Sequence, residues 1–176
     1  MNSYLQQARE LIEIATKGMS HDELAWHPAE GKWSTANILE HLMLAFSGTA
    51  KGLSRVLQAG APQVRQQTWK DRGRVAVVVN AGYFPPGRPA PKGVVPHGIG
   101  PEEAMRGIRS QLEAMEKVMQ ECERRLGSSG KVLDHPVLGP LNLRQWAKFH
   151  FVHTRHHMRQ VQTLREKMKS GTSGGW

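Results

Sequence analysis

Late in the chain stands the run His153-Thr154-Arg155-His156-His157-Met158-Arg159-Gln160. On an α-helix, residues 153 and 157 lie one turn apart, offset by about 40° at ~100° per residue, so both imidazoles project toward one object. Neutral imidazole is the commonest protein ligand for zinc and similar divalent ions. The pair therefore reads either as two metal ligands or as two core-edge histidines satisfied by hydrogen bonds. The spacing is that of a zincin helix, but Thr154 occupies the place of that motif's glutamate base, so zincin chemistry is not supported.

A third ligand is available far upstream. His41 lies within the apolar helical stripe Ile38, Leu42, Ala45 and Phe46, and a polar imidazole on such a face is costly without a partner. One inward histidine is more often a satisfied core residue. Two helices that each turn histidine inward point instead to a shared site built from His41, His153 and His157. His150 shares the stripe of His153 and His157, either supporting the ligands or standing apart from them. His156 is turned about 60° from His153, toward the surface or a helix seam. Gln160, close to one turn beyond His157, has the reach to hold a ligand or a bound water, or to make an ordinary interhelical contact.

Three neutral ligands leave the full charge on the ion and a fourth position for water. On zinc in a suitable pocket the pKa of that water falls toward about 7. Such a centre generates hydroxide for hydrolysis or activates a thiolate for transfer. No residue stands out as a general base; His150, His135 and His97 are the candidates. Other chemistries find no footing. The chain has no Gly-rich phosphate loop ending in Lys-Ser/Thr and no G-x-S-x-G elbow. Cys122 faces no evident base, and the paired carboxylates Glu102-Glu103 and Glu121-Glu123 suit helix-dipole and solvent roles.

Four long helices must carry these residues. The first is expected over Ser3 to Lys17, with Leu5, Ala8, Leu11, Ile12 and Ala15 on one face. A helical turn follows at Ser20-His21-Asp22-Glu23, which has capping-box spacing. The second long helix begins near Ser34 or Thr35 and runs to about Ala59. The third starts at Pro101, carries Glu102 and Glu103 at its positive end, and stops before Gly127. The fourth begins at Asn142, a good N-cap, and extends to about Lys169, with Trp146, Phe149, His150, His153, His157, Gln160 and Leu164 along one stripe. Residues 60–100, between helices two and three, form a long Pro/Gly-rich insert whose only strand-like run is Val75-Ala76-Val77-Val78-Val79. The expected fold is an all-α four-helix bundle over residues 1–169, with a frayed tail at 170–176.

The 176 residues suit a single domain that needs no disulfide. One cysteine, no apolar run long enough for a membrane helix, and no signal-peptide core before Lys17 lead to the expectation of a cytoplasmic protein. The formal charge of +9 is concentrated. Residues 51–100 hold eight Lys/Arg against Asp71 alone, and residues 142–176 hold seven against Glu166 alone. No aromatic-interleaved motif accompanies the charge, so a solvated basic face or an anionic substrate is expected before nucleic acid. The competing reading is a non-enzymatic basic module that binds nucleic acid or an acidic partner.

Three pieces then combine: Gly31-Lys32-Trp33-Ser34-Thr35-Ala36-Asn37-Ile38-Leu39-Glu40-His41-Leu42; His135-Pro136-Val137-Leu138-Gly139-Pro140-Leu141; and Gln145-Trp146 followed by the H-x-x-x-H-x-x-Q of His153, His157 and Gln160. In order and spacing they resemble the DinB/YfiT-like superfamily of metal-dependent enzymes over residues 1–59 and 101–169. The resemblance implies a four-helix bundle with one divalent metal, zinc or nickel, on His41, His153 and His157. It also implies small-molecule substrates, in some members a low-molecular-weight thiol such as bacillithiol or mycothiol in S-transfer or maleylpyruvate isomerisation, and a homodimer. It does not imply DNA binding.

Overall fold

The computed structural model describes residues 2–84 and 89–172. Six α-helices appear among them: α1 (Ser3–Thr16), α2 (His21–Ala25), α3 (Thr35–Ala59), α4 (Trp69–Val75), α5 (Pro101–Leu126) and α6 (Leu143–Thr172). A short antiparallel hairpin of β1 (Leu133–His135) and β2 (Gly139–Leu141) precedes α6. The all-α class is as expected.

The helix starts are written locally. Ser20 and Ser34 accept the amides of Glu23 and Asn37, whose side chains reach back to the cap residues, closing two capping boxes. Pro101 occupies the first turn of α5 with Glu102 and Glu103 beside it. Asn142 caps α6 by accepting from the Gln145 amide at 2.8 Å, while Gln145 accepts from the Asn142 amide at 3.1 Å. α6 continues to Thr172, past the expected end at Lys169, and residues 173–176 of the expected frayed tail lie outside the described residues.

Packing pairs α3 with α5 and α1 with α6, and α3 meets α6 along the histidine faces. Leu5, Phe46, Leu53, Ile108, Leu112, Met115 and Val161 fill the centre. The first turns of α3 are buried almost all round, from Thr35 through Leu42, with Asn37 alone partly exposed. Helices cover one side of them, and part of the 60–100 segment covers the other.

That segment departs from the sequence expectation. Val75-Ala76-Val77-Val78-Val79 is not a strand; it is the end of α4 running into a π-turn at Ala76–Asn80. Val75 and Val79, four apart, are buried at 4% and 0%, whereas Val77 is 46% exposed. In a strand all three would share a face. The β-preference of valine yields here to a strong helix start: Thr68 caps Asp71, and the Asp71 carboxylate is gripped by both Arg65 guanidinium nitrogens at 2.7 and 2.9 Å. Arg65 and Thr68 together hold the Asp71 carboxyl well below the usual carboxylate range.

The hairpin sits in the His-Pro-Val-Leu-Gly-Pro-Leu stretch and fixes how α6 enters the bundle. Trp146 Nε1 donates to the Leu133 carbonyl at 3.2 Å. Gly139 has φ +75°, and a Cβ there would lie 2.6 Å from Asp71 Cγ, so the hairpin packs on the α4 cap only through a residue without a side chain.

Candidate metal centre

α3 and α6 bring His41, His153 and His157 together, with one ligand atom from each lying within 4.8 Å of the others. His153 Nε2 is 3.0 Å from His41 Nε2 and 3.0 Å from His157 Nε2. All three residues are buried.

The outer nitrogens decide which ring atoms are free. His41 Nδ1 stands 2.7 Å from the Val94 carbonyl, which can only accept, so Nδ1 carries the hydrogen and Nε2 carries the lone pair. His157 Nδ1 donates to Gln160 Oε1 at 2.7 Å, and the Gln160 amide group faces His156 Nε2 at 3.3 Å. Gln160 thus reaches the far side of the His157 ring.

Burial keeps the rings neutral. Desolvation pushes His157 down to about 3, with the neighbouring His41 adding to it. Desolvation also lowers His153 well below the ordinary histidine value and lowers His41, against which the Val94 hydrogen bond acts only in part.

These facts leave an imbalance that hydrogen bonds among the three rings cannot remove. His41 and His157 both present lone pairs inward, and the neutral His153 has a single hydrogen to offer. If it sits on Nε2, one inward contact is satisfied and one is not. If it sits on Nδ1, that atom is buried with no partner among the described residues and three lone pairs converge. A cation resolves this. Imidazole nitrogens around one tetrahedral zinc, each 2.0–2.1 Å from it, stand about 3.3 Å apart, close to the observed separations. The residues present fit a divalent ion.

Aromatic walls shape the surroundings. The His153 ring lies against both Phe84, at 5.2 Å, and Phe149, at 5.4 Å, whose own ring centroids are 6.3 Å apart. Trp33 lies over His41 at 5.1 Å and His157 at 6.4 Å. This packing confines the three rings, which are 4%, 6% and 7% exposed.

Residues 4–161 match the family model of the DinB superfamily, a span that includes all three histidines and Gln160. The chain belongs to the DinB superfamily. The matched span also runs through residues 60–100, which the sequence motifs left unplaced. A relative, the uncharacterized protein YuaE of Bacillus subtilis (strain 168), is 27% identical over 154 residues, covering 87% of this chain and 90% of YuaE.

The remaining candidates lie elsewhere. His150 turns to Thr49, with Nε2 3.0 Å from the hydroxyl, rather than to the three rings. His135 accepts from the Val137 and Leu138 amides inside the hairpin turn. The His97 side chain is exposed, and its backbone amide is bound by Glu40. His156 flanks the trio, its ring 5.1 Å from that of His157. Sequence reasoning missed the Val94 carbonyl, Phe84 and Glu40. The first two come from the insert, where no periodicity marks them. Glu40 carried a readable signal, a carboxylate in the apolar run Ile38 to Phe46 beside a candidate ligand.

Proposed function

We propose that this DinB-superfamily protein is a metal-dependent enzyme acting on a small, anionic substrate, as a hydrolase or as a thiol-dependent S-transferase. The observation that carries the reading is the convergence of three neutral Nε2 atoms at 3.0 Å contacts in a buried site, two of them fixed by hydrogen bonds on the far side of the ring. His41, His153 and His157 would hold a divalent ion, zinc or nickel. Such an ion with a free coordination position supplies Lewis acidity that lowers the pKa of a bound water or thiol.

The chain's own residues do the rest. Val94 and Gln160 hold the two outer rings in the ligating tautomer. Phe84, Phe149 and Trp33 keep the site dry, which strengthens every electrostatic interaction within it. Arg159, beside His156, and the basic balance of α6 favour a negatively charged substrate or a low-molecular-weight thiol as co-substrate. A cytoplasmic homodimer is the setting consistent with this reading.

The test is metal analysis of the purified protein and of His41→Ala and His153→Ala, followed by thiol-transfer and hydrolysis assays of chelated and metal-restored protein. Stoichiometric metal in the wild type, its loss in both variants, and activity that follows the metal are expected. Undiminished metal affinity in either variant sinks the three-ligand site, and turnover indifferent to chelation sinks the metal-dependent reaction.

A further inference from the structure

Glu40 is 1% exposed, and a buried carboxylate must find donors. It finds them in the backbone at the end of the insert: Oε1 accepts from the His97 amide at 2.7 Å, and Oε2 from the Gly98 and Ile99 amides at 2.9 and 3.2 Å. Gly98, at φ +87°, turns successive amides to one side, which makes the concave anion cradle that a carboxylate fills. The adjacent residue on α3, His41, uses its Nδ1 to hold the Val94 carbonyl of the same segment. Only Val95 and Pro96 separate the two attachments. Proline fixes its own φ and restricts the residue before it, so this span is stiff.

We infer that Glu40 is a positioning residue for the metal centre: by clamping the 97–99 amides it sets the Val94 carbonyl against His41, so that metal affinity and the order of residues 94–99 form one linked equilibrium. The inference rests on the tri-histidine reading. A group that holds a ligand's orienting partner affects metal affinity through that partner. By linkage, bound metal must stabilise the segment as much as the ordered segment favours metal.

Zinc affinity of the full chain, measured by competition with a chromophoric chelator, tests it on the wild type, Glu40→Gln and His153→Ala. Hydrogen exchange at the His97, Gly98 and Ile99 amides is followed in the wild type with and without zinc. Glu40→Gln keeps the size of the side chain and removes one acceptor. It is expected to weaken zinc binding about tenfold, and zinc is expected to slow exchange at the three amides. A Glu40 that merely supports the fold would lower the melting temperature of the metal-free variant and leave zinc affinity unchanged; that result overturns the inference. So does exchange at the three amides that is identical with and without zinc, a measurement that decides the matter even if the variant fails to fold. Loss of zinc by His153→Ala with full affinity in Glu40→Gln overturns the linkage alone. Full affinity in His153→Ala overturns the metal reading and the linkage with it.

Discussion

His150 and His153 sit about one turn apart on the same stripe of α6 and meet different fates. His153 turns its Nε2 to two other imidazoles, whereas His150 spends its Nε2 on the Thr49 hydroxyl. Spacing alone could not separate them, because both satisfy the same helical periodicity; the residue opposite each on α3 makes the difference. His150 is fully buried, and desolvation, with some help from His135, pushes it down to about 3. An unfolded chain returns it to about 6.5. Between those values the unfolded state binds more protons, so stability is full above about pH 6.5 and is lost as pH falls toward 3. The slope from this group is at most about 1.4 kcal/mol per pH unit. Urea unfolding at pH 7.5 and pH 5 should show this loss, and His150→Gln should lose less than the wild type. Equal losses in the two proteins would show that His150 is not held neutral by the fold.

The elements were legible in proportion to how locally they are encoded. The side-chain caps at Ser20, Ser34 and Asn142 involve partners three residues away, Pro101 suits a first helical position by itself, and the structure starts a helix at or just after each of them. Residues 75–79 failed because the deciding interactions lie outside the run: the Thr68–Asp71 cap, the Arg65 grip on Asp71, and burial of one helical face. Strand and helix make opposite forecasts there. In the helix Val79 is fully buried while Val77 faces solvent, so Val79→Ala should cost about 2 kcal/mol and Val77→Ala close to nothing. Equal costs in a urea titration would restore the strand reading. The hairpin before α6 escaped sequence reading for a related cause. Its strands of three residues are too short for an alternation to register.

For the whole molecule, the metal reading makes stability a property of the bound ion. A ligand that binds only the folded state stabilises it by about 4 kcal/mol at a thousandfold excess over its Kd, which for a chain of this size raises Tm by roughly 8–16 °C. Zinc should raise the melting temperature of the wild type by an amount of that order, a chelator should reverse it, and His41→Ala should respond to neither. A wild-type Tm indifferent to zinc would contradict the centre. No helix among the described residues is long and apolar enough to cross a membrane. The amino-acid sequence by itself determined the helix starts, the inward stripes, and the candidacy of His41, His153 and His157, because caps and periodicity are written within a few residues of one another. Tertiary structure alone decided that the three rings meet, which nitrogens they present, and that residues 94–99 dock on His41 and Glu40. Those outcomes depend on contacts such as His41 with Val94 and with His153, 53 and 112 residues apart in the chain. Only the packing of α3, α6 and the insert creates them.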